Sequence, residues 1–298
     1  MARRRHPQDS AVVNGHCPLI IAHRGASWLL PENTSLAVAR AIDLGADMVE
    51  VDVQLTKDRC PVIFHDWHFG RVGSSPRHSR LALRALGIAD LTTDELRLLD
   101  VGLWKGKAYA GVTVPTLAEL LGEYGRRIAF NLELKIHEDA TKPERSALVY
   151  RTLDTLACAD LIEPVLLSSF DRTVLELCRK SSPAIRLGVL PQKDGTAATL
   201  RLADRLEAWS VHLRCAEVRP ALVSRIHAAG RRVLAYTADR PRTMHRLMEC
   251  GIDGIFTNVP DRLAKVVNRK PLTVNRDAQG QVADGHQSLH GSRLTVHG

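Results

Sequence analysis

The sequence predicts an α/β protein, a (β/α)8 TIM barrel with a β-hairpin arm and a small insertion after its second strand. Three observations lead there. Short apolar runs alternate with longer helical patterns almost end to end; eight of the runs have enough chain between them for a crossover helix; and about 250 residues is the size of such a barrel. The 298 residues, 45% apolar and 25% charged, can bury a sizeable core without disulfides. That composition excludes collagen, coiled coil and wholesale disorder.

Leu19 to Ala22 reads as the first strand, followed by a helix from about 33 to 44 with Asn33 or Thr34 as its cap and Gly45 as its stop. Met48 to Val53 is the second strand. The rest are Ile128 to Leu134, Val165 to Ser169, Arg186 to Leu190, Ser210 to Leu213, Arg232 to Tyr236 and Asp253 to Thr257, separated by helices such as 143 to 157 and 219 to 229. Pro61 to Phe64 stands apart, because only residues 56 to 60 separate it from the second strand and a parallel crossover needs a dozen or more. It must return as a hairpin arm, which brings His65 back to the mouth beside Glu50 and Asp52. Residues 66 to 115 then form an insertion with a helix at Thr93 to Leu99, a cap over the mouth or a side subdomain. The barrel spans 19 to 267, between flexible segments at 1 to 18 and 268 to 298.

The formal net charge is +8, but half of the surplus sits in the two terminal segments and no helix or stripe concentrates it. A nucleic-acid partner is therefore not expected. The cysteines, Cys17, Cys60, Cys158, Cys178, Cys215 and Cys250, include no C-x-x-C pair and sit mostly among apolar neighbours, as buried free thiols do in a reducing compartment. The basic start is followed by Asn14, Gly15, His16 and Pro18, which is no secretory core or membrane span. A cytoplasmic protein without stable membrane insertion is the expectation.

Polar groups collect at one end of the strands. The first ends in His23-Arg24-Gly25. In the second, Glu50 and Asp52 share a face at i and i+2 while Val49, Val51 and Val53 take the other. The valines pack outward on helices, so both acids point into the barrel. They repel unless one is protonated or a cation lies between them, and a divalent metal is the economical answer. Asn131, Glu133 and Lys135 likewise share the inward face of the third barrel strand, so Glu133 supplies a further oxygen ligand. An all-carboxylate set favours Mg²⁺ or Ca²⁺ over zinc. The competing structural reading is a buried ion pair of Glu133 with Lys135 or Arg24, which struggles to neutralise all three acids. Arg24, Lys135, a metal and two histidines together suit a phosphate ester.

Ala22-His-Arg-Gly25, Pro31-Glu-Asn-Thr34, Glu50-Val-Asp52-Val-Gln-Leu-Thr-Lys-Asp58, Phe64-His-Asp66 and Leu132-Glu-Leu-Lys135 make the chain resemble the glycerophosphodiester phosphodiesterases, related in design to phosphatidylinositol-specific phospholipases C. The likeness covers roughly residues 19 to 265. It implies hydrolysis of glycerophosphodiesters to sn-glycerol 3-phosphate and an alcohol such as choline or ethanolamine, in lipid and glycerol metabolism. It implies His23 and His65 as the acid/base pair, Glu50, Asp52 and Glu133 as ligands of one divalent cation, and Arg24 and Lys135 as phosphate contacts. Where the family commonly has Trp before a Thr, this chain has Tyr236-Thr237, so Tyr236 is the expected cover for the glycerol backbone, with an added hydroxyl in the pocket.

Two other readings compete: a lysophospholipase D, which needs an apolar trough leading from Trp28 to Leu30, and a non-catalytic barrel that binds phosphate or lipid head groups. His68 and His78 are candidates to line the mouth, Gln192 and Asn258 to contact substrate hydroxyls, and His212 to face the barrel interior as core or pocket wall. His286, His290 and His297 are not metal-spaced. The ligands leave Mg²⁺ and Ca²⁺ equally open, and the oligomeric state is not legible.

Overall fold

The computed structural model describes residues 17–75, 78–162 and 165–268. The expectations for the terminal segments, and for His286, His290 and His297, thus lie outside the described residues.

The barrel strands are β1 (Leu19–His23), β2 (Met48–Leu55), β4 (Ala129–Leu134), β5 (Leu166–Ser169), β6 (Arg186–Val189), β7 (Ser210–Arg214), β8 (Arg232–Tyr236) and β9 (Gly254–Thr257). They run parallel in the order β1-β9-β8-β7-β6-β5-β4-β2, and β2 closes the ring on β1. The helices between them are α1 (Ser35–Asp43), α4 (Leu117–Tyr124), α5 (Lys142–Cys158), α6 (Arg172–Ser181), α7 (Thr196–Arg205), α8 (Pro220–Ala228) and α9 (Pro241–Glu249), with α10 (Pro260–Val266) after the last strand. Their starts follow the chemistry of unsatisfied N–H groups: Thr116 with Glu119 and Thr141 with Glu144 form reciprocal capping boxes. Valines and leucines on the outer strand faces, Val49, Val51, Val53, Leu132 and Val211 among them, bury against these helices.

β2 runs past the barrel. It pairs with β4 from Met48 to Val53, and from there Val53, Gln54 and Leu55 pair antiparallel with Ile63, Val62 and Pro61 of β3 (Pro61–Ile63). The Phe64 N–H donates to the Asp52 carbonyl at 2.9 Å, which brings the chain back to the mouth at His65. The insertion has its own small core, in which Phe69, Leu83, Ile88, Leu96 and Leu99 bury together with Val62 and Phe64 of the arm. It contains α2 (Arg80–Leu83) and α3 (Thr93–Leu96). The helix expected to reach Leu99 stops earlier, because Leu98 and Leu99 donate to the carbonyls of Glu95 and Leu96, a tighter turn that sends both Leu96 and Leu99 inward.

Alternate residues fill the barrel. Ile21, Met48, Ala129, Leu166, Leu234 and Phe256 form an apolar floor. The register then sets Glu50 beside His23 and Asn131, and Asp52 beside Glu133. His212 is 1% exposed. Its Nε2 lies 3.0 Å from the Ser210 hydroxyl and its ring 5.1 Å from that of Phe256. Of the two expectations for it, core histidine is the one observed. Burial lowers its pKa to about 3, so between there and 6.5 the unfolded chain binds a proton that the native chain does not. Stability from this group is full above 6.5 and falls with acidification, by at most about 1.4 kcal/mol per pH unit. His212→Gln is expected to flatten the loss of Tm between about pH 6.5 and 4; parallel slopes for the two proteins would count against it.

Candidate active site at the barrel mouth

The rim begins where β1 ends. Arg24 and Gly25 adopt φ of 57° and 78°, turning the chain out of the strand. Gly25 is required there for space as well, since a Cβ would lie 2.6 Å from the Ala37 carbonyl carbon of α1. The turn aims the Arg24 N–H at Glu50 Oε2 (2.9 Å), while its side chain lies between Asp52 (Nε to Oδ2, 3.4 Å) and Glu32 (2.9 Å). Further along the loop, Asn33 also has φ of 57°. Its amide donates to Asp52 Oδ2 at 2.8 Å and accepts from the Asp52 N–H at 3.3 Å, so Asn33 clamps that carboxylate while Thr34 caps α1.

Glu50, Asp52 and Glu133 each present an oxygen, and these lie within 4.8 Å of one another. Oxygens sharing one ion at ~2.0–2.6 Å are at most about 4–5 Å apart, so the three form a group able to hold a divalent cation. Lys135 Nζ lies 3.6 Å from Asp52 and 3.8 Å from Glu133. The ion-pair alternative therefore exists in part, but it leaves Glu50 out. That carboxylate receives only the Arg24 N–H and a His23 nitrogen at 3.9 Å, and its Oε1 is buried without a partner among the described residues. Arg24 is already shared with Glu32, so Arg24 and Lys135 do not neutralise the set.

The electrostatics follow from this layout. Burial, then Asp52 and Glu133, hold Glu50 well above the usual carboxylate range. Burial and Asp52 push Glu133 up to about 7. Burial would raise Asp52 too, but Lys135 and Arg24 outweigh it and keep that acid ionised. Such a set holds protons in place of a cation.

The two histidines are pinned alike. His23 Nδ1 sits 2.8 Å from Asn258 Oδ1, and the Asn258 amide in turn donates to Asp239 at 2.7 Å. As an acceptor, Asn258 Oδ1 fixes the proton on Nδ1 and leaves His23 Nε2 facing Glu50. Asn258 thus orients the ring, and its Oδ1 also accepts from the Ser27 hydroxyl at 2.9 Å. Burial, aided by Arg24, lowers His23 to about 4. His65 Nδ1 lies 2.7 Å from Asp66, whose carboxylate also accepts from Arg71 Nε at 2.6 Å. Arg71 reaches back to Glu32 at 2.6 Å, so a chain of ion pairs ties the insertion to the rim and to Arg24.

Tyr236 ends β8, its ring edge-on to Phe170 and Phe256 at 6.4 Å from each, and its buried hydroxyl has no partner among the described residues. Burial raises it to about 12, and it lies close enough to Glu133 to feel that charge. All eight site residues expected from the sequence, His23, Arg24, Glu50, Asp52, His65, Glu133, Lys135 and Tyr236, therefore sit at one end of the barrel. Of the remaining candidates, Gln192 donates to the Phe170 and Leu190 carbonyls, His78 pairs with Ser75, and His68 lines a recess beside His65. Glu32, Asp66, Arg71 and Asp239 carry roles that sequence reasoning did not assign; the first two stand inside the quoted motifs, which was the one signal available.

Acids, cations and imidazoles gathered where the barrel strands end define a barrel enzyme. The chain belongs to the glycerophosphoryl diester phosphodiesterase family, whose profile matches residues 23–262. It is 32% identical over 257 residues to a glycerophosphodiester phosphodiesterase of Caldanaerobacter subterraneus, covering 84% of this chain and 98% of that one. A glycerophosphodiester phosphodiesterase of Bacillus altitudinis is 29% identical over 252 residues, covering 83% and 97%. Among solved structures, a phosphodiesterase of Oleispira antarctica in complex with the product sn-glycerol-3-phosphate superposes with a TM-score of 0.75 at 30% identity, covering 84% of this chain and 97% of that one. Among the described residues, no helix is long and apolar enough to cross a membrane.

Proposed function

We propose that this barrel hydrolyses glycerophosphodiesters to sn-glycerol 3-phosphate and an alcohol by acid–base catalysis at His23 and His65. The observation that carries this reading is the pair of imidazoles, each tied through Nδ1 to a fixed acceptor, flanking three carboxylates, two of them buried, and two cations. A barrel that only bound phosphate would have no use for two rings so oriented.

Glu50, Asp52 and Glu133 would hold Mg²⁺ or Ca²⁺, and such a cation, when bound, withdraws charge from a phosphoryl oxygen. Arg24 and Lys135 stand ready to share that charge. His23, kept neutral by burial, accepts the proton of the substrate's neighbouring glycerol hydroxyl at Nε2. The hydroxyl oxygen bonds to phosphorus, the bond from phosphorus to the alcohol oxygen breaks, and His65 Nε2 gives that oxygen a proton. Water then opens the cyclic phosphate with the two roles reversed. Tyr236 covers the glycerol backbone, and its unpartnered hydroxyl is placed to meet a substrate hydroxyl.

Soluble diesters are favoured over lysophospholipids. Trp28 and Leu29 are exposed, at 59% and 41%, but neither they nor Leu30 line the recess beside His65, whose walls carry Asp66, Arg71, Arg84 and Lys135 around Trp67. The test is release of sn-glycerol 3-phosphate from diesters with choline, ethanolamine and glycerol head groups, alongside release of choline from lysophosphatidylcholine. Release from a soluble diester, lost on chelation, is the expected result. No release from any of them would overturn the reading, and release of choline from the lysolipid alone would replace it with the lysophospholipase D.

A further inference from the structure

We infer that the recess between the mouth and the insertion is the seat of the departing alcohol, and that it selects alcohols bearing a second anionic group such as a phosphate monoester. This rests on the phosphodiesterase reading and names the substrate class within it. The recess has a volume of about 360 Å³ and is lined by His65 and Lys135, at the edge of the acidic centre, together with Asp66, Trp67, Arg71 and Arg84. If His65 protonates the departing oxygen, the group attached to that oxygen occupies this space, which accommodates a sugar-sized head group.

The charges on its walls are unequal in their freedom. Arg71 is offset by two carboxylates, Glu32 and Asp66, each within 2.6 Å of a guanidinium nitrogen. Lys135 is shared between Asp52 and Glu133. Arg84 pairs with no carboxylate among the described residues, and it is exposed. Its stem lies directly on Gly70, where a Cβ would come within 2.7 Å of Arg84 Cγ, so the absence of a side chain at 70 lets Arg84 form the outer wall. A guanidinium without a carboxylate partner on the wall of the recess is suited to bidentate contact with phosphate or carboxylate oxygens.

The same walls disfavour choline. A quaternary ammonium seeks an open aromatic face. The aromatic ring of the recess, Trp67, has the Lys135 ammonium 5.6 Å from its centroid and His137 packed 5.5 Å away at a steep angle. A second cation there would meet Lys135 and Arg84 instead.

The experiment compares kcat/KM for sn-glycero-3-phosphoinositol 4-phosphate, sn-glycero-3-phosphoinositol and sn-glycero-3-phosphocholine. The first two differ only in the added phosphate. Three proteins are used: the native chain, Arg84→Gln, and Arg126→Gln, which removes an equal charge from a 74%-exposed side chain paired with Asp160. The phosphorylated inositol diester is expected to be preferred over the unphosphorylated one by about tenfold in the native chain and in Arg126→Gln, and the preference is expected to collapse toward unity in Arg84→Gln. Equal turnover of all three diesters, or an equal fall in the preference with both variants, would overturn the inference and leave the phosphodiesterase reading intact. No sn-glycerol 3-phosphate from any of them would overturn both.

Discussion

His65→Ala is expected to cut kcat on a glycerophosphodiester by about 10³-fold, within the span that a positioned proton donor supplies, with a much smaller change in KM. The ring stands at the edge of the mouth with Nδ1 held by Asp66, so its loss removes a proton from the departing oxygen without disturbing Glu50, Asp52 or Glu133. A diester whose alcohol leaves as a stable anion, such as a nitrophenol, needs that proton less and should recover most of the lost rate. His23→Ala should not be rescued in this way, because its Nε2 acts on the attacking hydroxyl. Equal losses on both substrates for both variants would show that the two rings do not divide the proton transfers. Replacing both is expected to cost little more than replacing one, since each ring is idle without its counterpart.

The second large effect concerns the acids. Glu50→Gln should abolish measurable turnover, a loss of about 10³-fold or more if the cation's share of the charge stabilisation goes with it. In cation-free solution the same change is expected to raise Tm, because the substituted amide no longer has to be buried as a charge or protonated against Asp52 and Glu133. A residue that served only a structural ion pair would behave in the opposite way, since removing one partner of a buried pair strands the other. Differential scanning of the two proteins in chelator, with turnover measured in parallel, separates these cases. A lower Tm with activity retained would assign Glu50 to the scaffold.

Much of this arrangement was legible before any coordinates, and the reason lies in strand geometry. Alternation along Met48 to Val53 forces Glu50 and Asp52 to one side, and Asn131, Glu133 and Lys135 follow the same rule; the register that sets Asp52 beside Glu133 comes from the closed sheet. The five residues between β2 and β3 dictated a hairpin and hence the return of His65. What stayed hidden depends on loop paths. Asn33 reaches Asp52 through a left-handed turn that no periodicity announces. Asn258 was noticed as a polar residue after a strand, but its partner is 235 positions away in sequence and became visible only once the barrel closed β9 against β1. Arg71 and Glu32 meet across 39 positions because the insertion folds back onto the first loop. Its small apolar core sets that approach, and a pattern of scattered leucines does not encode it.

Isothermal titration of Mg²⁺ and of Ca²⁺ into the chelator-treated protein bears on the three carboxylates with the fewest intervening assumptions. One ion bound per chain, with proton release near pH 6 as Glu133 gives up the proton that burial and Asp52 favour, and loss of that binding in both Glu50→Gln and Glu133→Gln, is the predicted result. Absence of binding by either ion, or binding that survives both substitutions unchanged, would contradict it.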